Sequence, residues 1–191
     1  ISPSYDDPKL VMIHDFGLIT QKDINFNIGD KKLHFEQVFA KTWQGDMESD
    51  GLNSLVLHAN LTWRQIVILR TYARYLKQIN APFSLEYMEQ ALRNNPIIAT
   101  KFIQLFETFF NPTKRPRQNP KTKRLKMEVN KHLDAVSSAD EDRILRRFMN
   151  VLDATLRTNF YQNADNGDPK PYLSIKLNSD QIDDLPLPRP L

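Results

Sequence analysis

The side chains best placed to act together are the arginines of DEDRILRRFMNVLDATLRTNFYQ, residues 140–162: Arg143, Arg146, Arg147 and Arg157. Read as one helix from Ala139 to about Arg157, this stretch sets Asp142 before Arg146 and Asp153 before Arg157 at i,i+4. Each such pair supports an exposed helix by about 0.2–0.5 kcal/mol. Arg143 and Arg147, four apart and of like charge, have no such partner. A guanidinium presents a planar fork of donors to carboxylates, so the four arginines are candidates for interdomain contacts with acidic groups from another element.

Other chemistry has less support. The four histidines, His14, His34, His58 and His132, lack the His-x-x-x-His or Glu-x-x-His spacing that sets two ligands on one helical face, so no metal site is expected. His14 and Asp15 are adjacent, and on a strand their side chains diverge. Gly17, Gly29, Gly45, Gly51 and Gly167 are too scattered to form a dinucleotide fingerprint or a phosphate loop. No Gly-x-Ser-x-Gly elbow is present. We therefore assign no catalytic and no cofactor-binding residue to the chain. The lack of cysteine excludes disulfides and thiolate catalysis and fits a reducing, cytoplasmic setting. No apolar run approaches the roughly 18 residues of a membrane span.

The net charge of +3 conceals a local excess. Lys114, Arg115, Arg117, Lys121, Lys123, Arg124 and Lys126 fall in one stretch without an acid, and acids outnumber bases in the remainder. Clustered cations can bind phosphates, but aromatics are not interleaved and no nucleic-acid-binding signature accompanies the run. A solvated linker, or a loop touching an acidic surface, is the simpler reading.

The elements that would position these groups are mainly helical. LVMIHDFGL (residues 10–18) and DINFNIGD (residues 23–30) read as strands, the second alternating Ile24, Phe26 and Ile28 before a turn at Gly29-Asp30. From Leu33 the period becomes helical through Phe35, Val38 and Phe39. Thr62 with Gln65 fits a capping box ahead of a long helix, and Ser138 with Glu141 fits a second. Ser84 suits a helix cap, and Pro96 suits the first turn of the helix carrying Phe102, Leu105, Phe106 and Phe109. Pro112, Pro116 and Pro120 mark a linker. A terminal strand is expected from Tyr172 to Leu177, then an extended course set by Pro186, Pro188 and Pro190. The expected fold is α+β, mainly helical, with strands at the N-terminus and a terminal strand at the C-terminus.

Five stretches in order resemble a known family: Leu52 to Leu92, DEDRILRRF (Asp140 to Phe148), TLRTNFYQ (Thr155 to Gln162), KPYLSIKL (Lys170 to Leu177) and DLPLPRP (Asp184 to Pro190). They are similar to the large bacterial NAD-specific glutamate dehydrogenases, over most of the chain from about Ile13 onward. The resemblance implies an oxidoreductase that converts L-glutamate to 2-oxoglutarate and ammonia, with NAD bound outside this chain. It implies that the family's glycine- and lysine-bearing substrate motif lies beyond Leu191, and that this chain alone is inactive.

Residues 1–31 would then close an upstream α+β module, 32–111 form a helical domain, 112–122 a basic linker and 123–162 a helical pair. Residues 163–191 would open the catalytic domain. The expected partners are the catalytic and N-terminal regulatory domains of the same polypeptide, with a homo-oligomer at full length, no membrane and no nucleic acid. The alternative is a free-standing helical interaction module whose basic loop binds an acidic partner or nucleic acid.

Overall fold

The computed structural model describes residues 28–113 and 120–189, with Ile13, Asp15 and Gly17. Among these residues seven helices are followed by a two-stranded antiparallel sheet: α1 (Ile28–Trp43), α2 (Leu55–His58), α3 (Trp63–Gln78), α4 (Leu85–Asn94), α5 (Pro96–Phe110), α6 (Pro120–Leu133), α7 (Ala139–Ala154), β1 (Thr155–Thr158) and β2 (Ile175–Leu177). A short 3₁₀ turn, Gly51–Ser54, leads into α2.

One apolar core joins these elements. Ile66, Leu69 and Leu76 of α3, Leu92 of α4, Phe102 and Phe106 of α5, and Phe148 and Leu152 of α7 are all buried within it. The wide apolar face of α3 meets both α4 and α7, which is why its stripe exceeds what one neighbour would need. Phe102 stacks on Phe148 across α5 and α7, ring centroids 6.4 Å apart.

Helix starts follow their caps. Thr62 and Gln65 bond reciprocally, Thr62 N–H to Gln65 Oε1 at 2.9 Å and Gln65 N–H to Thr62 Oγ1 at 3.3 Å. Ser84 caps α4, and Pro96 occupies the first turn of α5.

The structure departs from the sequence reading in five places. The stretch expected as strands at 10–18 and 23–30 lies outside the described residues, apart from Ile13, Asp15, Gly17 and its last three positions. Those three are helical: α1 begins at Ile28 rather than after a turn at Gly29-Asp30. Packing of Val38 on the core holds that helix, and its first turn tolerates a glycine because its amides have no intrahelical acceptor in any case.

The other departures lie toward the C-terminus. Ser138 caps α7, but the Glu141 carboxylate does not return to it. Glu141 instead accepts from Asn94 Nδ2 at 2.6 Å and Asn95 Nδ2 at 2.9 Å, tying α7 to the junction of α4 and α5. Lys121 and Thr122, expected in the linker, belong to α6. The helix expected to reach Arg157 stops at Ala154, because Thr155 turns its backbone to extended angles and pairs with Leu177. Asp153 therefore meets Lys126 of α6 at 2.5 Å instead of Arg157. The terminal strand is shorter than expected, Ile175–Leu177.

Among the described residues no helix is long and apolar enough to cross a membrane.

Candidate interdomain contact site

The four arginines are not brought together. Arg143 reaches Asp140 of its own helix at 3.6 Å. Arg146 bonds Asp142 at 2.8 Å and Asp134, just after α6, at 2.8 Å, and these bonds hold its pKa above the ordinary value. Arg157 stands exposed on β1. Arg147 takes its acid from the segment beyond β2.

Arg147 forks onto Asp184 of the C-terminal segment, Nη2 donating to Oδ1 at 3.1 Å and Nε to Oδ2. Its guanidinium also lies over the ring of Phe83, 5.3 Å from the centroid, between α3 and α4. Asn150, one turn along α7, clasps the same segment by donating to Gln181 O at 2.8 Å and accepting from Asp183 N–H at 3.2 Å. Between these bonds Ile182 is driven into the core. The segment beyond β2 is thus stitched to α7 by one apolar anchor and two polar clasps.

A second joint lies under the hairpin. The Tyr72 hydroxyl of α3 meets Thr155 Oγ1 at 3.0 Å in a buried site, and since Thr155 donates to Val151 O at 2.8 Å, Tyr72 is the donor. Arg64 of α3 donates to Phe160 O at 2.6 Å while its guanidinium covers the Phe160 ring at 4.4 Å. Phe160 stands edge-on to Phe106 at 5.4 Å.

Burial, and secondarily the Glu107 carboxylate, push the Tyr161 hydroxyl up to about 12 against the opposing pull of Arg64, so Tyr161 is neutral at physiological pH. Desolvation lowers the pKa of Arg64. Gln65, whose oxygen serves the capping box, spends its Nε2–H on Glu107 at 2.8 Å.

Sequence analysis singled out neither Arg64 nor Arg70 as a candidate. Arg70 is only 5% exposed and forks onto Asp50 at 2.5 and 2.8 Å, with a further bond to Asn53 at 2.7 Å. The one local signal was the presence of arginines beside, rather than opposite, the apolar stripes of α3.

Glu89, 8% exposed, sits beside this pair and accepts from Gly51 N–H at 3.0 Å. Desolvation, then the Asp50 charge, raise its pKa above the ordinary 4.5. Because the folded value is the higher one, the folded state keeps a proton that the unfolded chain has lost. Glu89 therefore adds stability as pH falls through the raised value toward 4.5, and loses it as pH rises. Glu89→Gln keeps the acceptor for Gly51 and mimics the protonated form. Denaturant titrations stepped from neutral pH down to 4.5 should show the variant gaining less stability on acidification than the parent; identical slopes would refute the assignment.

No group of His, Asp or Glu residues among the described residues could hold a metal. His34 is 3.1 Å from Asn60 Oδ1 and His58 2.8 Å from Ser54 O. A groove of about 740 Å³ runs between α5 and α6, lined in part by Glu107, Arg124 and Glu128. Lys101 at 2.8 Å and Arg124 at 3.3 Å already hold Glu128, and the Lys101 bond is the main cause of its lowered pKa.

Two family models divide the chain between the end of α5 and the middle of α6. One for "Glutamate dehydrogenase, helical motif 3" matches residues 47–112, and one for "Bacterial NAD-glutamate dehydrogenase, catalytic domain" matches residues 128–191. The chain is 41% identical over 181 residues to an NAD-specific glutamate dehydrogenase of Pseudomonas aeruginosa and 38% over 178 residues to one of Halomonas elongata, 93% of this chain in each case. The chain belongs to the NAD-specific glutamate dehydrogenase family. A third relative of that name, from Mycobacterium tuberculosis, is 39% identical over 158 residues, 82% of this chain.

The chain spans about 11% of the length of the Pseudomonas and Halomonas relatives. The catalytic-domain match starts within α6, upstream of residue 163, where the sequence reading opened that domain. Phe83, Arg64, Tyr72 and Phe106 thus lie in the helical-motif match, and Arg147, Thr155, Phe160 and Asp184 in the catalytic-domain match. Among the described residues no glycine-rich turn joins a strand to a helix.

Proposed function

We propose that this chain is a non-catalytic joint of an NAD-specific glutamate dehydrogenase, seating the first strands of the catalytic portion on a helical support. The observation that carries this reading is Arg147, which forks onto Asp184 while lying over Phe83 of the helical-motif match. The whole enzyme, a cytoplasmic homo-oligomer, would oxidise L-glutamate to 2-oxoglutarate and ammonia as NAD is reduced. Residues outside this chain would bind NAD and perform the chemistry. The partners of the joint would be the catalytic and N-terminal regulatory portions of the same polypeptide.

The 191-residue chain is expected to give no glutamate-dependent reduction of NAD, followed by NADH absorbance. Measurable turnover overturns the non-catalytic reading. Arg147→Ala tests the joint itself. Loss of two charge-assisted bonds at a partly exposed site should cost about 1–3 kcal/mol. Amide exchange should quicken through residues 178–189 and stay unchanged in α3. Arg147→Lys should restore little, since a point charge cannot reproduce the fork or the stacking.

A further inference from the structure

The β1–β2 hairpin carries a repulsive arrangement that nothing among the described residues relieves. Arg157 of β1 lies directly opposite Lys176 of β2 in the antiparallel register, and both are exposed. Residues opposed across an antiparallel pair share a face, and like charges there are destabilising. Among the described residues the ion pairs include neither Arg157 nor Lys176. Beside them Leu156, the extra residue at the register shift, is 44% exposed. Two strands alone form a marginal sheet in water, and here their outward face joins two cations that form no ion pair among the described residues to an exposed leucine.

We propose that the Leu156, Arg157 and Lys176 face is a docking surface for a carboxylate-bearing protein segment from the catalytic portion of the same enzyme. The inference rests on the reading of this chain as a joint in that enzyme. Charge complementarity selects the occupant: two adjacent cations call for acidic side chains, and Leu156 calls for an apolar neighbour, which a free inorganic anion does not supply. The match of residues 128–191 to the catalytic-domain model places this face on that portion of the polypeptide.

The test compares Arg157→Glu/Lys176→Glu with Arg157→Glu alone, in the 191-residue chain and in the complete enzyme. A single reversal creates an opposite-charge cross-strand pair, so the chain itself should keep or raise its Tm. The complete enzyme carrying the double reversal should lose about 2–4 °C in Tm and about tenfold in kcat/KM. An unchanged complete enzyme overturns the proposal.

Two further results would also overturn it. One is stabilisation of the isolated chain by millimolar phosphate that the double variant loses, which identifies a small-anion site. The other is concentration-dependent self-association of the chain abolished by the double variant, which identifies a second copy as occupant. Arg147→Ala, measured in parallel by amide exchange, reports on the joint separately. A normal response there with a silent hairpin condemns the docking surface alone.

Discussion

Arg70→Ala is expected to destabilise the chain by about 3–5 kcal/mol, because it strands a carboxylate in a site built for an ion pair. Arg70 is 5% exposed, and Asp50 answers it with both oxygens, at 2.5 and 2.8 Å. The same Asp50 carboxylate accepts from Leu52 N–H at 3.0 Å and so starts the Gly51–Ser54 turn. Without the guanidinium, Asp50 cannot leave for solvent without giving up that cap, and it remains beside Glu89.

Urea unfolding followed by circular dichroism measures the loss. Arg74→Ala supplies the contrast: its pair with Glu48 is about half exposed on both sides and should be worth about 0–1 kcal/mol. The double variant Asp50→Ala/Arg70→Ala should lose less than the two single losses added. A loss at Arg70 no greater than at Arg74 would show that the buried pair is not coupled as its geometry indicates.

Phe106→Ala should cost about 3–5 kcal/mol, through lost transfer free energy and the cavity left behind. Its ring is fully buried and meets Phe110 at 4.9 Å, Phe160 at 5.4 Å and Tyr72 at 6.5 Å. The damage should spread in a particular direction. Phe160 is held from one side by Phe106 and from the other by Arg64, so removing the ring frees the start of the hairpin connection. Amide exchange around Phe160 should rise more than in α1, which lies away from this cluster. Phe106→Leu keeps much of the volume and should cost markedly less. Equal exchange in both regions would mean that Phe106 supports the core generally and not the joint.

The two predictions mark where sequence reading was strong and where it failed. The caps at Thr62, Ser84 and Pro96 were legible because each acts within four residues. The apolar face of α5 was legible for a similar reason: a period of 3.6 puts the buried residues on one face whatever they face. The family resemblance likewise needed only the order of its blocks, and the matches to the helical motif and the catalytic domain agree with it.

Glu141 shows the limit of local rules. Its spacing from Ser138 is that of a capping box, yet Asn94 and Asn95, 47 and 46 residues away, compete for the carboxylate and hold it. Thr155 shows another: helix propensity could carry α7 to Arg157, but strand pairing with Leu177 and the bond from Tyr72 stop it at Ala154. Which arginine would matter was equally a tertiary decision. Arg143 and Arg147 look alike along the chain, each without an acid four residues before it, and only the return of the C-terminal segment over α7 gives Arg147 an acid to grip.

Arg64 makes the point most sharply, since its carbonyl acceptor on Phe160 is 96 residues distant. Periodicity and capping are properties of neighbours along the backbone, and therefore belong to the sequence read by itself. Burial of a charge, the partner of a carboxylate and the meeting of two units depend on which distant segments share space, and that is set only when the whole core closes.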